Sequence, residues 1–210
     1  MKRAVVFRGG GSMGAYSAGQ ICARIKEYGY SWDEYYGTSV GALNALLAST
    51  GDVDLIKKAF TTISDKDVWS RNPIRKNGKI KITNLLLKLI FSKDAIGDSK
   101  KLRQTMEQFY TESMYNGSDK LVVACSSNYS KGLISYGRND KLPYKEFLDA
   151  VWASTCVPLL MNPVSLYGSM YQDGGLLMNA PIQRAIDNNT KLKAEDISEI
   201  VDDYPDDVRI

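Results

Sequence analysis

The chain has 210 residues, enough for one domain with a sizeable core, and its 24% charged and 44% hydrophobic content is that of a soluble globular protein. It contains no histidine, which excludes Ser-His-Asp triads, Cys-His dyads and histidine-ligated metals. Proton transfer is left to carboxylate, lysine, tyrosine, cysteine or backbone groups. The formal net charge is +3 but unevenly spread: residues 57–103 carry 13 Lys/Arg against 4 Asp/Glu, and residues 187–210 carry 8 acids against 3 bases.

After Met1-Lys2-Arg3, the short apolar run Ala4–Phe7 ends at glycines and predicts a buried strand. It is too short to be a signal peptide, so a cytoplasmic protein is expected. Gly9–Gly14 is a glycine-rich turn. Ala15 to about Tyr28 predicts a helix with Ala18, Ile21, Cys22 and Ile25 on one face and Gly29 at its stop. Trp32–Tyr36 predicts a second strand, and the Ala- and Leu-rich stretch from Val40 to about Ser49 a buried helix. Strand, turn, helix, twice over, argues for an α/β fold with a mostly parallel central sheet.

Residues 61–105 break this rhythm with Pro73, Gly78, many lysines and the block Leu85-Leu86-Leu87-Lys88-Leu89-Ile90-Phe91, which predicts a helical insertion or cap. The basic and apolar segment 79–93 (Lys79, Lys81, Lys88, Lys93) reads as a peripheral membrane contact or as core and protein contact. Further on, the pattern predicts a strand at Leu121–Ser126, a helix at Glu146–Ser154 and a hairpin at Tyr167–Tyr171 around Gly168. A helix at Pro181–Asn188, a last strand at Ile197–Val201 and a loose acidic tail at about 202–210 complete the chain. No apolar run approaches the ~20 residues of a membrane-spanning helix. Cys22, Cys125 and Cys156 form no CxxC pair and read as reduced, buried thiols.

Three short stretches carry chemistry. Gly37-Thr38-Ser39-Val40-Gly41 matches G-x-S-x-G, a sharp strand-to-helix turn that exposes a serine hydroxyl at a helix N-terminus. Gly9-Gly10-Gly11-Ser12-Met13-Gly14 lets successive N–H groups converge on one oxygen, as an oxyanion hole requires. Through Gly9, Gly11 and Gly14 it also satisfies G-x-G-x-x-G, and Asp33 or Glu34 lies about 20 residues on, so a dinucleotide site is the competing reading. Asp173-Gly174-Gly175 places a carboxylate after a strand hairpin. Without histidine a serine nucleophile needs such a base, and an aspartate near its reference pKa of ~3.9 is ionised at neutral pH.

These three stretches, in this order, resemble the patatin-like phospholipase family. So does Ala150-Val151-Trp152-Ala153-Ser154-Thr155-Cys156-Val157-Pro158, leading into Asp173-Gly174-Gly175-Leu176-Leu177-Met178-Asn179-Ala180-Pro181. The resemblance covers about residues 1–50 and 145–187. It implies a single catalytic domain over 1–210 with a three-layer α/β/α fold that hydrolyses fatty-acyl ester bonds of lipids with no cofactor. By position Ser39 matches the nucleophile and Asp173 the dyad aspartate. Gly10 and Gly11 match the oxyanion-hole glycines, with Gly9 completing the loop. Two positions depart from the family's pattern: Arg8 stands where an acidic or small residue is frequent, and Met13 where an Arg or Lys is usual. A general carboxylester hydrolase, or a catalytically silent interaction module, therefore stands beside the phospholipase. The chain stops soon after the last motif, as a minimal or truncated form would.

Overall fold

The structure, a computed structural model, describes residues 2–74 and 95–188. Its elements in chain order are β1 (Ala4–Phe7), α1 (Gly14–Tyr28), β2 (Glu34–Thr38), α2 (Val40–Ala48), α3 (Val53–Thr62), α4 (Asp65–Val68), α5 (Lys100–Phe109), α6 (Glu112–Gly117), β3 (Leu121–Asn128), β4 (Leu133–Arg138), α7 (Tyr144–Thr155), β5 (Val164–Leu166), β6 (Ser169–Asp173) and α8 (Ile182–Asn188). One-turn 3₁₀ helices follow β1 at Gly11–Met13 and β6 at Gly174–Leu176. No helix among the described residues is long and apolar enough to cross a membrane.

The expected three layers form around a mixed sheet. β1, β2 and β3 run parallel, while β4 and β6 lie antiparallel to β3, and β5 antiparallel to β6. The antiparallel part comes from short connections: a hairpin of two residues, Tyr167 and Gly168, cannot make the crossover that parallel strands need. Both turn residues have positive φ, 51° and 73°, which suits a tight hairpin matched to strand twist.

β3 organises the site. It pairs with β2 over Leu121–Cys125, with β6 over Ser126–Asn128 and with β4 over Val123–Asn128. A strand has two edges, and β4 overlaps both other pairings, so β2 and β6 share one edge of β3 end to end. β2 finishes with Thr38 opposite Cys125, and β6 finishes with Asp173 opposite Ser126. Running toward each other, the two strands deliver Ser39 and Asp173 to the same point.

Side chains alternate across the strands. Val5, Phe7, Tyr35, Val122 and Ala124 face the main core, where they meet Ile21 of α1, Leu46 of α2, Ile56 of α3, Leu102 and Met106 of α5, and Phe147, Leu148 and Val151 of α7. The other face carries Val6, Tyr36 and Val123, and Ala185 of α8 packs there. Phe147, Leu148 and Val151 are fully buried, each worth about 1.5–3 kcal/mol relative to exposure.

Both described flanks of the 61–105 segment belong to the folded body. Thr105 Oγ1 donates to Asp67 O (2.7 Å), and the N–H groups of Ile96 and Gly97 donate to Leu159 O and Leu160 O (3.0 and 2.9 Å). The Leu85–Phe91 block with its lysines, the strand expected at 197–201 and the acidic tail lie outside the described residues.

Candidate active site

The first component is the turn after β2. Ser39 has φ 58° and ψ −131°, a backbone conformation that costs a side-chain-bearing residue about 1–3 kcal/mol. The turn closes because its flanks are glycines: a Cβ on Gly37 would lie 2.1 Å from Gly41 O, and one on Gly41 would lie 2.3 Å from Phe7 O. The hydroxyl of Ser39 stands at the N-terminus of α2, where helix dipole and unpaired amides favour negative charge.

The second component is Asp173. Ser39 Oγ donates to Asp173 Oδ2 at 2.6 Å, across 134 positions of sequence, and Gly175 N–H donates to Asp173 Oδ1 at 2.7 Å. Both side chains are buried, at 9% and 6% exposure. Gly174 packs against β3, where a Cβ would lie 2.2 Å from Cys125 O. Burial pushes the Asp173 carboxyl above its ordinary value of 3.8, opposed by the hydrogen bonds from Ser39 and from the Gly175 amide. The aspartate expected to sit near its reference pKa is thus raised, because the strand ends that bring it to the serine also take it out of water.

The glycine loop after β1 lies beside the dyad. Its three glycines divide in use. Gly9 is not a free donor: its N–H donates to Asn179 O at 2.9 Å, which replaces the expectation that it lines an oxyanion hole. Its lack of a side chain matters instead, since a Cβ there would lie 2.6 Å from Asn179 Oδ1 and 3.2 Å from Ser39 Cβ. The amides of Gly10 and Gly11 have no hydrogen-bond partner among the described residues, and Gly11 sits at φ 55°. Gly14 serves packing, because a Cβ there would lie 2.1 Å from Val40 Cγ2.

A cavity of about 280 Å³ opens over these groups, and its lining includes Gly9, Gly10, Ser39, Asp173, Val157 and Leu176, with Pro158 beside them. Three loops contribute to the lining, 9–14, 157–162 and 174–179, and they contain no charged residue. On the same loops Met13 (66% exposed), Leu159 and Leu177 are exposed.

The dinucleotide reading fails on topology. Such a site needs its acid beside the glycine loop. Here β1 and β2 are in register from Ala4 opposite Glu34 to Phe7 opposite Gly37, so the glycine loop adjoins Ser39. Glu34 opens β2 and Asp33 precedes it, roughly 15 Å away at the strand's other end. Asp33 Oδ2 there accepts from Arg3 N–H at 2.8 Å, and Glu34 is buried beneath Tyr36 and Asn188. Among the described residues no three His, Cys, Asp or Glu side chains gather where a metal ion would be held.

Sequence reasoning missed the support of the site. Ser154 Oγ accepts from Ser39 N–H (2.9 Å) and donates to Cys125 O (2.5 Å), and Asp173 N–H donates to Cys156 O (2.9 Å). Thr38 Oγ1 donates to Met178 O (3.0 Å), and Asn44 Nδ2 to Gly14 O (3.1 Å). The signal for Asn44 was a polar residue inside the Ala- and Leu-rich helix.

A family model described as patatin-like phospholipase matches residues 5–186. Among solved structures, the chain is similar to VipD from Legionella pneumophila, with a TM-score of 0.52 and 16% identity over 84% of this chain and 46% of that one. The likeness is one of fold, and the chain spans about half of that neighbour's length. A search of curated proteins finds no match.

Proposed function

The chain belongs to the patatin-like phospholipase family, and from that premise we propose that it is a serine acyl hydrolase cleaving fatty-acyl esters through a Ser39–Asp173 dyad. The observation that carries the reading is the 2.6 Å hydrogen bond from Ser39 Oγ to Asp173 Oδ2 at the floor of an open cavity. It supplies a nucleophile and a base in a chain that has no histidine to act between them.

In the proposed reaction Asp173 takes the hydroxyl proton as Ser39 Oγ bonds to the ester carbonyl carbon. The carbonyl oxygen becomes an oxyanion held by the amides of Gly10 and Gly11 beside the α2 N-terminus. Asp173 returns the proton to the departing alcohol, leaving an acyl-serine. Water, losing a proton to Asp173, then releases the fatty acid and regenerates the serine. A carboxyl raised by burial is a stronger base once ionised, which suits this role. The apolar part of the lining, Val157, Pro158 and Leu176, on loops without a charged residue, favours acyl chains over polar substrates. Met13 stands where the family usually has Arg or Lys, so that position offers no cation to a phosphate head group.

The test is labelling by a fluorophosphonate probe, run alongside hydrolysis of a short-chain p-nitrophenyl ester and of phosphatidylcholine vesicles. Wild type should label and hydrolyse, and Ser39→Ala should do neither. Retained hydrolysis in purified Ser39→Ala removes the nucleophile assignment. An unlabelled, inactive wild type leaves a silent interaction module.

A further inference from the structure

The end of α7 and the residue that follows it are fully or almost fully buried, with Ser154 at 0%, Thr155 at 6% and Cys156 at 0% exposure. They lie in the stretch Ala150–Pro158, which resembles the family. Neither Ser154 nor Cys156 faces the cavity. What they touch is the backbone of the dyad. Ser154 Oγ accepts the Ser39 N–H at 2.9 Å, and two positions later Cys156 O accepts the Asp173 N–H at 2.9 Å. The same Ser154 hydroxyl donates to Cys125 O, on the residue of β3 that faces Thr38.

We infer that Ser154 is a positioning residue for the nucleophile, and that Ser154–Cys156 acts as a caliper setting the distance between Ser39 and Asp173. The inference rests on the dyad reading above. Three facts lead to it. Ser39 turns out of the β2 ladder into a conformation with φ 58°, so its amide has no strand partner. Left unpaired in the interior, that amide would favour relaxation of the turn, and Ser154 is its acceptor. Ser39 and Asp173 arrive on opposed strand ends that share no backbone hydrogen bond with each other, so neither fixes the other's position. α7 packs against both β3 and β6, so one rigid element holds both backbones. A misplacement of about 1 Å costs on the order of 100-fold in rate, and that is the effect expected when one jaw of the caliper is removed.

Thr155 provides an internal control. Its hydroxyl donates to Trp152 O within the same helix and reaches neither dyad residue. Ser154→Ala and Thr155→Ala each remove one buried hydroxyl from adjacent positions. On a soluble p-nitrophenyl ester, Ser154→Ala should lower kcat about 100-fold with KM nearly unchanged, and should slow fluorophosphonate labelling of Ser39 by the same factor. Thr155→Ala should keep the wild-type kcat per folded molecule. Equal kcat losses in the two variants, or none in Ser154→Ala, overturn the inference.

Amide hydrogen exchange supplies an arm independent of turnover. The Ser39 N–H should be protected in the wild type and in Ser154→Thr, which keeps the hydroxyl, and should exchange at least about 10-fold faster in Ser154→Ala, as expected when a bond worth about 1.4 kcal/mol is lost. A Ser39 amide unprotected in the wild type, or equally protected in Ser154→Ala, also overturns it, and the wild-type arm decides should Ser154→Ala fail to fold. A wild type that neither hydrolyses nor labels defeats the hydrolase reading, while the exchange result still judges the clamp.

Discussion

Two carboxylates are buried along the line of β2, and their surroundings differ in kind. Glu34, 1% exposed at the start of the strand, accepts from Tyr36 OH (2.6 Å) and Asn188 Nδ2 (3.3 Å), and Lys2 Nζ lies 3.4 Å away. Arg138 stands behind, donating to Asn188 Oδ1 at 3.1 Å. Asp173, 6% exposed where the strand's far end meets β6, accepts from one hydroxyl and one amide, and no cation shapes its titration. A buried carboxylate ringed by donors with a cation beside it is tied into the fold as a structural anchor. One given two neutral donors remains hungry for a proton, which burial expresses as a raised pKa. The contrast separates an anchor from a base without reference to any motif.

The sharpest way to break this comparison is to neutralise each acid in turn. Asp173→Asn should lower ester turnover by about 10⁴-fold or more, with Ser39→Ala similar and the double variant little worse, because the two groups act as one unit. The same Asp173→Asn should raise the midpoint of thermal unfolding at neutral pH. A carboxyl whose folded pKa is raised loses stability as pH rises from the unfolded value through the folded one, so removing the charge relieves a cost. A lowered midpoint would place Asp173 with Glu34 as an anchor.

Glu34→Ala should do the opposite, costing about 1–3 kcal/mol in denaturant unfolding by orphaning its buried donors, while turnover per folded molecule stays unchanged. The pH profile separates the pair further. Turnover needs ionised Asp173, so it should fall about tenfold per pH unit below that group's pKa. The acid limb should therefore lie above the ordinary aspartate value of 3.8, and a kcat/KM profile flat down to that value would contradict the burial argument. Smallest of all, Lys2→Ala should shift stability by no more than about 0.5 kcal/mol. Its side chain is 68% exposed, and the contact of its ammonium with Glu34 at 3.4 Å is weak and screened.

Much of the fold was legible where local pattern and burial agree. The β1–α1–β2–α2 run is found within a residue or two of its expected bounds, because apolar blocks and glycine turns mark it. β4 was missed, since only Gly137 on it is buried and its Leu133 and Ile134 are exposed, which erases the alternation that signals a strand. α5 overlaps the end of the segment expected as an insertion or cap; its lysines and arginine hide Leu102 and Met106, which join the main core.

What the sequence determined by itself was the chemistry on offer: a serine in a glycine-flanked turn, a glycine loop, an Asp-Gly-Gly and no histidine. Residue type and short-range spacing set these, because a tight turn is decided by a few neighbouring atoms. Only the tertiary structure decided which of them meet. β2 and β6 share an edge of β3, Gly9 spends its amide on Asn179, and Ser154 holds the nucleophile's backbone. Each of these joins residues far apart in the chain, and strand register and helix packing, not local propensity, fix such contacts.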